Sequence, residues 1–157
     1  MATEQAYAHP EFLVDAAWVE AHKDDANVVI IDCDVDAGYN RGHIPGAALV
    51  PDNFEKNPDT GRVHLMNADQ FAAMCQGLGI GDDSLVIAYD NAQSLTAARL
   101  WWALNTYGHS NVKVLNGGWR RWLTEGRAVS FERPQAPSGV KFTPKRDDSL
   151  FVSGDEL

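Results

Sequence analysis

Two five-residue runs, Val28–Asp32 and Leu85–Tyr89, constrain this chain more than any other feature of its sequence. A strand with one wet face alternates apolar and polar residues. These runs do not alternate, so both of their faces must be covered. Strands of that kind belong to parallel sheets with helices on each side. The stretch between them carries a helical period instead. Phe71, Met74, Cys75 and Leu78 stand at i, i+3, i+4 and i+7, one apolar stripe in a helix predicted over Ala68–Leu78. Strand-type and helix-type segments in alternation predict an α/β fold with a mainly parallel sheet.

The remaining segments extend this pattern. Asp15 follows the apolar Phe12-Leu13-Val14 and can cap a helix over Ala16–His22. Ile44-Pro45-Gly46 is a turn before a short strand at Ala47–Val50, and Asn53–Gly61 is a polar loop. Asn67 caps the Ala68–Leu78 helix, which Gly79 and Gly81 end. A helix over Leu95–Tyr107, a strand at Val112–Leu115, a turn at Asn116-Gly117-Gly118 and a helix over Trp119–Glu125 complete a domain spanning 1–127. Residues 128–149 hold Pro134, Pro137 and Pro144 among many charges and read as a linker or a segment draped on the surface. Phe151–Leu157 then repeats the logic of Leu13–Val19, two apolar residues, a cap and helix formers. Residues 150–157 therefore read as the truncated start of a second copy of the fold.

A chain of 157 residues holds one domain of ordinary size, not two. A net charge of −9 repels phosphate backbones and argues against a nucleic-acid partner. The two cysteines, Cys33 and Cys75, make no disulfide framework and no CxxC pattern. His9, His22, His64 and His109 show no ligand spacing, so neither a metal nor a cofactor is expected. No apolar run approaches the roughly 18 residues of a membrane span, and Met1–Pro10 lacks a signal layout. A cytoplasmic location with no membrane partner is expected.

Three blocks occur in order. Val29-Ile30-Ile31-Asp32 is followed by Gly42-His43-Ile44-Pro45-Gly46-Ala47. Val86-Ile87-Ala88-Tyr89-Asp90 is followed by a loop and Ala98-Arg99-Leu100-Trp101-Trp102. Tyr107-Gly108-His109 is followed by Val112 to Trp119. Together, over Val14–Arg127, they resemble the rhodanese family of sulfurtransferases. The resemblance implies a rhodanese-like α/β fold, a central parallel sheet of about five strands with helices on both faces. The strand, loop and helix over Leu85–Tyr107 would make a cradle of amides able to hold an anion. In active members the loop opens with a cysteine, whose thiolate takes a sulfane sulfur and holds it as a persulfide. Here the loop reads Asp90-Asn91-Ala92-Gln93-Ser94-Leu95-Thr96, with no cysteine. The family pattern puts Asp90 in the nucleophile's place. The Tyr89-Asp90 opening and the Ala98–Trp102 helix are similar to the non-catalytic amino-terminal domains of two-domain thiosulfate and 3-mercaptopyruvate sulfurtransferases.

Each candidate residue has a plainer reading beside the functional one. Asp90 either fills the cradle with its own carboxylate or stabilises the start of a helix. In the mercaptopyruvate branch, residues matching Asp32 and His43 are implicated in a proton relay at the domain interface. Local hydrogen bonding at a strand end is the preferred reading of that pair. Cys33 and Cys75 read as small buried hydrophobes. Arg99 could bind an anion, but a buried or interface ion pair is preferred. Adjacent Trp101 and Trp102 cannot share one helix face, so one is expected on the sheet and the other toward a neighbouring domain. Trp119 and Trp122 read mostly as core or interface residues.

The expected function is the non-catalytic half of a sulfurtransferase, the chain alone being inactive. The parent protein would move sulfane sulfur from thiosulfate or 3-mercaptopyruvate to cyanide or a thiol. The expected partners are the carboxy-terminal rhodanese domain of the same protein and the small sulfur donor and acceptor. The rival reading is a complete, catalytically dead binding or regulatory module. A phosphatase would need a Cys-x5-Arg loop, which is absent.

Overall fold

The computed structural model describes residues 6–52, 54, 56–57, 59–60, 65–152 and 154–156. Within the polar loop expected over 53–61, Asn53, Glu55, Pro58 and Gly61 lie outside the described residues, as do His64, Ser153 and Leu157. The elements are β1 (Leu13–Val14), α1 (Ala16–His22), β2 (Val28–Asp32), α2 (Asp36–Asn40), β3 (Ala48–Leu49), α3 (Ala68–Gly77), β4 (Leu85–Tyr89), α4 (Leu95–Thr106), β5 (Val112–Leu115) and α5 (Gly118–Thr124). The five strands form one sheet in the order β1-β5-β4-β2-β3, with every pair parallel. The expected five-stranded parallel α/β architecture is therefore present. β2 and β4 pair along their full length, from Val28 opposite Leu85 to Asp32 opposite Tyr89. All the loops that leave the carboxyl ends of the strands gather on one edge.

Alternation along the buried strands supplies two cores. Ile31, Val86, Ala88, Val112 and Val114 point to one face and pack with Phe71 and Cys75 of α3 and Leu100, Ala103 and Leu104 of α4. Ile30, Ile87, Tyr89 and Leu115 point to the other and pack with Ala16 and Val19 of α1 and Trp122 of α5. Two helix starts carry the caps read from sequence. The Asp15 side chain accepts the Trp18 amide at 2.8 Å. Asn67 and Gln70 form a reciprocal capping box at 2.9 and 3.0 Å.

The short helix α2 has no sequence signal. Val35 caps it with no side-chain hydrogen bond, and Gly38 lies within it. Tertiary contact holds it: Tyr39 is buried, and its hydroxyl donates to the Ala47 carbonyl at 2.7 Å. Residues 128–149 are packed on the domain as an extended strap. Ser130 exchanges two backbone hydrogen bonds with His43. Phe142 is buried in the first core, and Thr143 donates twice to the Asp82 carboxylate. The Lys145 and Asp147 amides donate to the Tyr107 and Thr106 carbonyls. Glycines make the seat. A Cβ on Gly42 would stand 2.7 Å from Val129, one on Gly79 2.7 Å from Pro137, and one on Gly108 2.9 Å from the Lys145 carbonyl. Beyond the strap, Phe151 and Val152 join no strand; Phe151 stacks on Trp102 at 6.3 Å. Leu13–Val14 is a strand because β5 offers it an edge.

If the strap belongs to the folded unit, Phe142→Ala costs about 3–5 kcal/mol, the usual loss for a buried aromatic. Phe131, 70% exposed on the same segment, should cost close to nothing on truncation to Ala. Urea midpoints of the two variants measure both, and equal midpoints would mark the strap as a free linker.

Candidate functional site

The carboxyl end of β4 runs directly into Asp90, a residue 2% exposed. Its backbone is pinned first. The Asp90 carbonyl accepts the Trp119 amide at 2.9 Å. Gly118 lies so near that a Cβ there would stand 2.5 Å from that oxygen. Gly118 also sits at φ +55°, where glycine is favoured.

The Asp90 carboxylate is then enclosed by its own loop. Oδ1 accepts the amides of Ala92 at 2.9 Å and Ser94 at 2.8 Å. Oδ2 accepts the amides of Thr96 and Ala97 and the Thr96 hydroxyl, each at 2.9 Å. Thr96 and Ala97 lie in the first turn of α4, whose unpaired amides and dipole favour a negative charge. Gln93 and Ser94 take left-handed φ values of 58° and 67°, a conformation that costs roughly 1–2 kcal/mol per residue. That twist aims successive amides inward, and the carboxylate is what they aim at. Around this nest a depression of about 330 Å³ is lined by Asn91, Gln93, Ser94, Gly117, Gly118 and Arg120 as well as Asp90.

Asp32 ends β2, beside Tyr89 in register, and both are buried. Its Oδ2 accepts the Tyr89 hydroxyl at 2.7 Å and its Oδ1 the Asp34 amide at 2.8 Å. The Tyr89 oxygen accepts the Ile44 amide at 3.1 Å. Burial pushes the Asp32 carboxyl up to about 6, against the lowering pull of the Asp34 amide and the Tyr89 hydroxyl. His43 is fully buried and stacks on Tyr39 at 3.8 Å. Its Nε2 lies 2.7 Å from the Glu132 carbonyl and its Nδ1 3.0 Å from the Tyr39 carbonyl, so both ring nitrogens face acceptors. Through Tyr89 the Asp32 carboxylate reaches the Ile44 amide, next along the chain from His43, and each of the two is bonded within the domain.

The other candidates are dispersed. Asn91 donates its amide to Asp34 Oδ2 at 3.1 Å, and Gln93 and Leu95 are exposed. Arg99 is exposed. Trp101 and Trp102 are both half-buried on the first core. Phe12 lies 5.0 Å from Trp101, and the Trp102 indole donates to the Leu150 carbonyl at 2.7 Å. Cys33 and Cys75 are buried, and burial holds both thiols well above their usual value. Among the described residues there is no cluster of three or more His, Cys, Asp or Glu able to hold a metal ion, and no helix is long and apolar enough to cross a membrane. Sequence reasoning missed the Tyr89 hydroxyl, which looks like one more core aromatic at a strand end. It also missed Gly118, for which the Gly117-Gly118 pair was the available signal.

The geometry matches known proteins. The rhodanese-like domain family covers residues 15–125. Over 152 residues the chain is 34% identical to the sulfur carrier protein TtuD of Thermus thermophilus, covering 96% of this chain and 53% of that protein. It is 32% identical over 135 residues to a thiosulfate sulfurtransferase of Corynebacterium glutamicum, covering 85% of this chain and 44% of that protein. Among solved structures, SseA of Escherichia coli, a 3-mercaptopyruvate sulfotransferase, superposes with a TM-score of 0.77 at 27% identity, over 92% of this chain and 59% of that one. The chain spans about half the length of the curated relatives it matches.

Two outcomes follow from the buried carboxylates. Asp90→Ala should destabilise the fold by about 3–5 kcal/mol, since each stranded donor costs about 1–3 kcal/mol before water recovers part of it. Sulfate should then raise the melting temperature of the variant and leave the parent chain unmoved. Asp32 binds its proton more tightly folded than unfolded, where its value is near 3.8. Its contribution is therefore present below pH 4 and lost as pH rises to about 6, on the order of 3 kcal/mol. Asp32→Asn should remove that pH dependence and be the more stable protein at pH 8 by urea titration. Parallel pH profiles for the two proteins would refute this.

Proposed function

This chain belongs to the rhodanese-like domain family, and from that membership we propose that it is the non-catalytic half of a sulfurtransferase. Kinship with a sulfur carrier and a thiosulfate sulfurtransferase supports a role in sulfur relay. The finer reading is that sulfane sulfur passes from thiosulfate or 3-mercaptopyruvate to cyanide or a thiol. The persulfide forms on a cysteine of a second rhodanese domain.

One observation carries this reading: the Asp90 carboxylate occupies the amide nest itself, with five donors closed on it. Sulfur transfer needs a thiolate that attacks the outer sulfur of thiosulfate, displaces sulfite, and then yields that sulfur to the acceptor. A carboxylate cannot hold a sulfane sulfur in that way, and while it fills the nest no donor anion can enter. The two thiols the chain does own are buried and held in their protonated form. Relatives about twice as long leave room for a second domain to supply the nucleophile. Asp32 and His43 then act within this half by fixing the Ile44–Gly46 turn and the strap, through Tyr89 and the Glu132 carbonyl.

The test is thiocyanate formation from thiosulfate and cyanide. The chain alone should give none above the uncatalysed rate, and the polypeptide that carries it together with a second rhodanese domain should turn over. Turnover by the chain alone that disappears in Cys33→Ala or Cys75→Ala would overturn the proposal.

A further inference from the structure

The turn that seats Gly118 against Asp90 holds the one Asn-Gly pair of the chain, Asn116-Gly117. Every other asparagine precedes a residue with a side chain. In an Asn-Gly pair no Cβ shields the second amide nitrogen from the asparagine side-chain carbonyl. Most folded amides are withdrawn from that attack by hydrogen bonding. Here the Asn116 amide donates to the Val14 carbonyl at 2.8 Å and the Trp119 amide to the Asp90 carbonyl at 2.9 Å. The Gly117 amide between them has no acceptor among the described residues. The Asn116 side chain is half-buried and has no hydrogen-bond partner among them either. No buried side-chain polar atom is left unpaired, so the Asn116 carboxamide reaches water. Gly117 is exposed and lines the depression of about 330 Å³, where water and buffer base reach its nitrogen. The turn cannot exchange this glycine for a bulkier residue. It takes φ +86°, and a Cβ would stand 2.5 Å from Arg121 Cδ and 2.6 Å from Arg121 Cβ. The fold therefore requires the reactive pair.

We propose that Asn116-Gly117 is a deamidation site, at which the folded chain passes through a cyclic imide to an isoaspartyl form whose α5 no longer docks on Asp90. The Gly117 nitrogen bonds to Asn116 Cγ, its proton passes to solvent base, and the Cγ–Nδ2 bond breaks as ammonia leaves. Water then opens the imide at either carbonyl. Opening at Cγ leaves an aspartate on an unchanged main chain. Opening at the backbone carbonyl routes the main chain through Cβ and Cγ and adds one carbon between β5 and α5. The net change is water in and ammonia out, and both products replace a neutral amide by a carboxylate. The turn has no slack for an added carbon. Gly118 is buried so close to Asp90 that a Cβ on it would stand 2.5 Å from the Asp90 carbonyl oxygen. Close packing transmits the shift. It draws the Trp119 amide off the Asp90 carbonyl and Trp122 out of the second core.

Ageing the folded chain in mildly alkaline buffer tests the site. Ammonia release and a gain of one negative charge should occur together and map to the tryptic peptide of residues 114–120. The folded rate should lie within about tenfold of the rate in urea, since a pair held out of attack geometry loses about 10²-fold. Asn116→Gln, whose longer side chain closes the ring poorly, should keep both its charge and the urea midpoint of the parent. In the aged parent, an isoaspartyl methyltransferase should label one species from S-adenosylmethionine. That species should show faster amide exchange over 118–124 and a lower urea midpoint, whereas Asn116→Asp, the other product, should match the fresh chain. Charge gain that persists in Asn116→Gln, or a folded rate more than about tenfold below the rate in urea, overturns the site. A labelled species as stable and as protected as the fresh chain overturns the loss of docking.

Discussion

A loop whose amides all point to one spot cannot close on empty space. Around Asp90 five donors converge within 2.9 Å of two carboxylate oxygens. Unpaired, each would lose its hydration with nothing in return. The carboxylate offsets the two left-handed residues, Gln93 and Ser94, that turn the loop inward. It fixes the direction in which α4 leaves the sheet, and so the seating of Leu100, Ala103 and Leu104 in the first core. The Asp90 backbone in turn receives the start of α5, and α5 carries Trp122 into the second core. Both cores are thus registered on one charged residue.

The same architecture with a thiolate in the nest would be a reagent. The difference between the two lies in which anion is stabilised. A carboxylate is ionised without help at neutral pH and accepts up to about four hydrogen bonds as a finished interaction. A thiol, near 8.5 unperturbed, must be drawn down by the nest to be ionised, and it then remains nucleophilic. With the Asp90 carboxylate at the strand end, the loop geometry serves as structure.

The elements with regular period were legible in the sequence, because burial on both faces and a 3.6-residue stripe leave marks that need no partner to read. β2, β4 and β5 and the caps at Asp15 and Asn67 are of this kind. What could not be read depends on residues far apart in the chain. α2 is held by Tyr39 reaching the Ala47 carbonyl, and no local signal announces it. The strap is Pro-rich and charged, and Phe142 is its one buried apolar anchor. At the site, the span of the loop and the place of Asp90 followed from the resemblance and the strand–loop–helix pattern. The number of donors closed on its carboxylate required coordinates. The Tyr89 bridge between Asp32 and Ile44 is a contact 57 residues apart on one side and 45 on the other, beyond any periodicity.

The strap has a consequence for the order in which the molecule is made. Its seat is cut into glycines at positions 42, 79 and 108, and its anchor Phe142 enters a core whose five strands all precede it. During synthesis the sheet can assemble while its first core still lacks a wall. Domains generally fold as units during synthesis, but here the first core stays open until Phe142 has emerged, and the Lys145 and Asp147 amides close on Tyr107 and Thr106 only after it. Completion of this unit is therefore postponed until the residues from Phe142 to Asp147 have emerged.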